Sequence, residues 1–232
     1  QLVREMRDHG ISVLGSTILC MEHHTPDNIG SDVDHAVSLN TDFVQFMLYT
    51  GMPVTALYED HRRRGLIKEE VPFEEWHGQN VLNWRHPAFP NGEAKHWLDH
   101  AFQHDVSVNS SSVYRVIETA FRGAHTLGAM KSRDNCLEAR LGQLRERARV
   151  YAQLLPVIVK NPVNETERQR ALTLDAERKR LLGSVGIGER FVRLGARLMA
   201  AQWNLRLQLF GDVLQPSTIY THYRRDPRLV AG

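Results

Sequence analysis

Apolar and polar positions divide the chain into two unlike stretches. Residues 11–39 carry a short apolar run, Ile11 to Cys20, then the polar passage Met21-Glu22-His23-His24-Thr25-Pro26-Asp27, then a helical pattern through Leu39. Residues 42–65 repeat that plan with Phe43-Val44-Gln45-Phe46-Met47-Leu48-Tyr49, a Pro-containing turn and a charged helix before Gly65. Strand, loop, helix and strand in this order form the unit of a parallel α/β sheet or barrel. In such folds chemistry gathers where strands hand over to loops. Two units cannot close a barrel. The chain also opens on Gln1, inside an uncapped helical pattern that ends at Gly10. A helix entered without a cap predicts truncation, so the expectation is the back half of a longer polypeptide.

Strand alternation predicts which side chains meet a cavity. Ser12, Leu14, Ser16, Ile18 and Cys20 share one face of the first strand, and Ile11, Val13, Gly15, Thr17 and Leu19 share the other. The first set carries more polar atoms and is assigned to the lumen. In the second strand Gln45 is the clearly polar interior residue, which places it on the lumen with Met47 and Tyr49.

Residues 68–92 lose periodicity. Val71-Pro72-Phe73, Trp76-His77-Gly78-Gln79, Asn83-Trp84-Arg85-His86-Pro87 and Pro90-Asn91-Gly92 mix turn formers with large aromatics. This predicts an ordered, irregular segment that packs back on the α/β part. From Glu93 the pattern is helical throughout. Ala94, Trp97, Leu98, Ala101 and Phe102 mark a buried stripe over 93–104. Ser110 to Ser112 cap a helix from about Val113 to Leu127, and another spans 134–159 with Pro156 expected to kink or end it. Asn164 and Glu167 form a capping pair for a helix to Leu182. After Gly183–Gly188 a last amphipathic helix runs from Glu189 to Leu214. The domains are therefore read as 1–67, 68–92 and 93–232.

Composition adds little to this. With 42% apolar and 24% charged residues, the 232-residue chain is ordinary for a globular protein. A formal charge of +2 gives no argument for nucleic acid, and no apolar run reaches membrane-span length. Cys20 and Cys136 alone favour a reduced, cytoplasmic setting and offer neither zinc-finger spacing nor the ligands of an iron–sulfur cluster.

Several signals invite chemistry. Gly183–Gly188 follows a helix and lacks the Lys-Ser/Thr of a phosphate loop, so it reads as a helix connection. Arg145, Arg147, Arg149, Arg168, Arg170, Arg178, Lys179 and Arg180 alternate with acids, as on a solvated face. His96, His100 and His104 share one helical face, but without a HExxH arrangement they read as a hydrogen-bonded boundary rather than a metal site. Glu22, His23 and His24 sit at the mouth of the first strand, where a parallel barrel touches substrate or cofactor.

Gly15-Ser16-Thr17-Ile18-Leu19-Cys20-Met21-Glu22-His23-His24-Thr25 resembles the fifth strand and loop of radical S-adenosylmethionine enzymes, which often read phi-Ile-x-Gly-Leu-Pro-Gly-Glu-Thr there. Asp42 to Phe46, and Tyr49-Thr50-Gly51-Met52-Pro53-Val54-Thr55-Ala56-Leu57-Tyr58, resemble their sixth strand and its Thr-Pro-x-Pro-Gly-Thr-x-Leu-Tyr turn. Trp76-His77-Gly78-Gln79 and Asn83 to Pro87 look most like the C-terminal extension of the cobalamin-binding branch. The likeness covers about residues 1–125. Cys20, Glu22, His23 and His24 stand where the family has Gly, Pro, Gly and Glu, and Gly51 and Val54 where it has Pro and Gly. Gly at that later position meets a need for positive φ, so Val54 implies either a different turn or a strained one.

The resemblance implies an α/β then all-α chain: the last two strand–helix units of a partial (β/α)6 barrel, then a mainly helical C-terminal domain. It implies a parent enzyme whose 4Fe–4S cluster binds S-adenosylmethionine and cleaves it reductively to a radical, with cobalamin as a further cofactor in the branch. Ser16 and Ile18 would approach the adenosine with Gln45 beside them, and the backbone near Leu48 would meet the adenine edge. Glu22, His23 and His24 would border the substrate or the corrin face. The family's CxxxCxxC loop belongs to a strand this chain does not contain, so the fragment alone is expected to be inactive. Its implied partners are the missing N-terminal part of its own polypeptide, a small-molecule substrate and a reductant for the cluster, with no nucleic acid and no membrane span. Two other readings compete: a non-enzymatic binding or scaffold protein, and a metal-dependent hydrolase built on Glu22, His23, His24 and the 96–104 histidines.

Overall fold

The computed structural model describes residues 1–130, 134–184 and 186–211. Helix α1 (Leu2–Asp8) leads into β1 (Leu14–Leu19), α2 (Ile29–Ser38), β2 (Phe43–Leu48) and α3 (Ala56–Arg63). After a 3-10 turn at Phe73–Glu75 the regular elements are helices: α4 (Glu93–Asn109), α5 (Ser112–Ala129), α6 (Asn135–Tyr151), α7 (Leu155–Lys160), α8 (Glu165–Leu182) and α9 (Ile187–Phe210). The two strands pair in parallel, Leu14 against Phe43 through Leu19 against Leu48. Among the described residues these are the only strands, so an α/β start and a helical remainder are both present.

The boundaries differ from the sequence pattern for local reasons. The Ile11–Cys20 run shortens because the Val13 amide is taken by the Asp42 carboxylate (2.8 Å), and because Cys20 turns out of the strand at φ 57°. The single helix expected over 134–159 divides into α6, a 3-10 turn at Ala152–Leu154, and α7. Pro156 lies in the first turn of α7, where its missing N–H leaves no bond unmade. Asn164 caps α8 as expected, accepting from the Glu167 amide (2.8 Å). Glu167 does not return the bond. Its buried carboxylate instead accepts from the Ser111 amide (2.9 Å) and the Val163 amide (2.8 Å), fastening α8 to the start of α5. Val185, the predicted end of the last helix at Leu214 and the rest of the C-terminal stretch lie outside the described residues.

One core unites the strands with the elements that come after them in the chain. Leu19, Phe46 and Leu48 of the sheet pack with Ile29 and Val33 of α2, Trp84 and Phe89 of the irregular segment, and Leu98 and Ala101 of α4. The apolar stripe of α4 therefore covers the sheet, with Phe102 edge-on to Phe46 at 5.2 Å. A second core joins Ile117 and Phe121 of α5 to Ala148, Leu155, Ala171 and Leu174.

Buried polar networks tie the two together. Arg7 of α1 donates to Thr119 Oγ1 (2.9 Å), to Asn40 O (2.9 Å) and to Glu118 (2.9 Å), and lies 3.4 Å from Asp42. Arg115 of α5 makes a two-pronged bond to Asp105 of α4, at 3.0 and 2.8 Å, with both side chains buried. The end of α1 approaches α5 at two glycines: a Cβ on Gly123 would meet Gly10 Cα at 2.4 Å.

Candidate functional site

The parallel pairing sets two unlike faces. Gly15, Thr17, Leu19, Val44, Phe46 and Leu48 turn toward the helices, and Leu48 is buried there. Leu14, Ser16, Ile18, Phe43, Gln45 and Met47 turn the other way, onto a face that no described element covers. Leu14 is 62% exposed, Ile18 44% and Phe43 45%. Ser16 pairs directly with Gln45 and Ile18 with Met47, so a hydroxyl and a carboxamide lie side by side with apolar neighbours beyond them. Three of the four residues assigned to a cofactor thus share one open surface. Leu48 is different. Its side chain points away from that surface, and its amide donates to Gly78 O at 2.6 Å.

The loop after β1 does not gather Glu22, His23 and His24 at one point. His24 is buried and turned inward: Nδ1 accepts from the Met21 amide (2.9 Å), so Nε2 carries the proton and donates to Asp32 of α2 (2.8 Å). His23 is exposed and rests its ring against His24, with centroids 4.4 Å apart. Glu22 turns to α3, where Arg64 donates to it at 2.9 Å and His61 lies 3.3 Å away. The Arg64 hydrogen bond holds the Glu22 carboxyl below the usual carboxylate range. Asn28 closes the loop by accepting from the Thr25 amide (2.7 Å) and donating to His23 O (3.0 Å).

His23, His24 and Asp32 form the one group of potential metal ligands among the described residues. The tautomer of His24 opposes that use. A histidine that binds metal through Nε2 keeps its proton on Nδ1, usually donated to an acceptor. Here Nδ1 faces a backbone N–H. The histidines of α4 make no such group: His104 bonds Asp34 of α2 (3.0 Å) and stacks on His100 at 5.8 Å.

The irregular segment supplies the floor under this mouth. Trp84 is fully buried, its indole N–H donates to Tyr49 O (2.8 Å), and its ring stacks on His61 at 4.2 Å. Asn83 donates to Gly51 O at 2.7 Å, while Asn83 Oδ1 and His61 Nδ1 are buried without a partner. Sequence reasoning missed His61. Its only signal was an imidazole in a helix otherwise full of exposed charge, which gives no hint that Trp84 will fold over it.

His86 fixes the loop from below. Nε2 donates to Met21 O (3.0 Å) and Nδ1 accepts from the Ala88 amide (3.0 Å). Burial pushes its pKa down from the ordinary value. A histidine depressed in the fold favours the neutral ring, so its contribution is intact above the unfolded pKa of about 6.5 and is lost as pH falls through the folded value. Lowering pH from neutral to 5 should therefore reduce stability, because a proton on Nδ1 opposes the Ala88 N–H. Urea titrations of the chain and of His86→Gln test this: the variant should show a smaller loss over that range.

Two non-glycine residues hold left-handed backbone at the two strand-to-helix turns, Cys20 at φ 57° and Val54 at φ 63°. Cys20 is buried in the core, and burial pushes its thiol up to about 12. Val54 is 95% exposed, so nothing about its side chain offsets the backbone cost. It precedes Thr55, which caps α3 by accepting from the Tyr58 amide (3.2 Å). A β-branched residue in this region costs roughly 1–2 kcal/mol. Val54→Gly should relieve that strain, offset in part by unfolded-chain entropy, for a net gain of about 1 kcal/mol in chemical denaturation.

Compared with protein-family models, with curated proteins and with solved structures, the chain shows no match.

Proposed function

We propose that this chain forms the last two strand–helix units and the helical cap of a radical S-adenosylmethionine enzyme of the cobalamin-binding branch. The observation that carries the reading is the backbone at Cys20 and Val54. At both positions the resembled family has Gly, and at both this chain bends into the left-handed region without Gly. Two strained turns held at matching places support a shared strand-to-helix geometry despite the changed residues.

The open face supports the same reading. Ser16 and Gln45 would orient the adenosine by hydrogen bonds, with Ile18 as its apolar neighbour. The S-adenosylmethionine and cluster supply the radical chemistry when bound. This chain would not ligate the cluster: Cys20 is buried with its thiol protonated, and Cys136 stands exposed on α6. Leu48 would not offer its amide to the adenine edge unless Gly78 gave way. Glu22 and His23, at the outer rim, would border the substrate or the corrin. His24, held by Met21 and Asp32, would position that loop rather than touch the substrate.

The runner-up is a non-enzymatic binding or scaffold protein, favoured by the engaged Leu48 amide and by loop residues turned inward. Reading the encoding DNA upstream of Gln1 separates them. An in-frame extension with CxxxCxxC and, further upstream, a cobalamin-type α/β domain is the expected result. A start codon at or just before Gln1 would overturn the enzyme reading in favour of the scaffold.

A further inference from the structure

Residues 183–188 lack the sequence of a phosphate loop, yet the fold gathers cations beside them. Helix α8 ends at Leu182, and Gly183 follows at φ 75°, a backbone that glycine permits. Arg178 and Lys179, near the end of α8, then face Arg190 and Arg193, which lie three residues apart on one side of α9. With Gly183 and Ser184 they line a pocket of about 510 Å³, and no carboxylate lines it. The acids nearby are engaged elsewhere. Asp175 accepts from Arg178 Nε at 2.9 Å, while Glu189 accepts from the Gly186 amide (2.7 Å) and meets Arg149 at 3.4 Å. Lys179, Arg190 and Arg193 are left with no ion pair among the described residues.

Arg193 is the clearest sign of a missing occupant. Its Nε donates to Gln153 (3.2 Å), but its Nη2 is buried and has no hydrogen-bond partner. Burial, and next the charge of Arg178, lowers its pKa from the ordinary guanidinium value. A buried guanidinium N–H left unpaired beside a second arginine is costly, and an anion would relieve both the lost bond and the repulsion. Helix stability explains only part of the set. Cations favour the C-terminus of α8, but Arg190 stands at the N-terminal end of α9, where the helix dipole does not favour them.

We infer that this pocket binds a small anion carrying two or more linked phosphates. A single phosphate monoester brings about −1.5 to −2 charges, fewer than the three uncompensated cations can meet. The pocket also falls in the ~300–1,000 Å³ range of small-ligand sites, with more room than a lone phosphate fills. Arginine forks match phosphate oxygens in pairs, and Ser184 adds a hydroxyl. Every lining residue belongs to α8, α9 or their connection, so the site needs neither the strand face nor its proposed cofactor.

The test is isothermal titration calorimetry of the full chain with pyrophosphate, orthophosphate and sulfate, in EDTA and at matched ionic strength. Pyrophosphate should bind at a single site and at least about tenfold tighter than orthophosphate or sulfate. Lys179→Gln with Arg190→Gln removes two exposed cations, so the melting midpoint should stay nearly unchanged while affinity falls at least about tenfold. Arg180→Gln with Arg206→Gln removes equal charge from the same two helices outside the pocket and should leave binding unchanged. Absence of saturable pyrophosphate binding would overturn the proposal. So would an equal loss in both pairs of variants, which marks a diffuse surface field rather than a site. Binding of duplex DNA without binding of pyrophosphate would overturn it in favour of a nucleic-acid contact.

Discussion

Asp42→Ala is expected to destabilise the chain by about 3–5 kcal/mol, read as a shift in urea midpoint with an unchanged slope. Asp42 is fully buried, accepts from the Val13 amide (2.8 Å) and from Thr119 Oγ1 (2.5 Å), and faces Arg7 at 3.4 Å. Deleting it strands a guanidinium in the interior and orphans an amide at the start of the sheet. Glu118 remains near Arg7 but is partly solvated, so it compensates only in part. Replacing both partners, Arg7→Met with Asp42→Leu, should recover most of the loss, since neither charge is then left alone. A double variant as unstable as Asp42→Ala would show that the Val13 bond, not the ion pair, dominates.

Trp84→Ala should cost about 3–5 kcal/mol, by loss of buried area and the cavity that remains. Its effect reaches beyond packing, because Trp84 bridges two parts of the mouth. Its N–H holds Tyr49 at the end of β2, its ring covers His61, and its backbone pairs with Ile67. Trp84→Phe keeps the stack and loses one hydrogen bond, so a cost nearer 1–2 kcal/mol is expected. If Phe proved as costly as Ala, the Tyr49 bond would be the decisive contact, and the end of β2 should then show faster amide exchange.

Much of the layout was legible in local pattern. The two strands and four of the later helices lie close to where periodicity and caps placed them, and alternation put Ser16 and Gln45 on the same face. Ser111 and Asn164 cap α5 and α8 as their residue types predict. What escaped was long-range. Glu167 reads as half of a capping box, yet Ser111, 56 residues earlier, takes its carboxylate. His24 reads as a substrate-facing imidazole, yet Asp32 and the Met21 amide turn it inward. Neither outcome is written in the residues nearby, because each depends on which partner the fold brings within hydrogen-bond distance.

The sequence alone determined the order of elements, the alternating faces of the strands and the amphipathic stripes, since these follow from side-chain periods of 2 and 3.6. The resemblance set the further expectation that the turn at Val54 is different or strained, because a β-branched residue stands where the resembled family has glycine. Tertiary structure decided the choice: Val54 adopts left-handed backbone, at φ 63°. It decided which side of α9 faces inward, and that His61 sits beneath Trp84. A stripe states which residues avoid water, but only the surfaces around it determine which neighbour they reach.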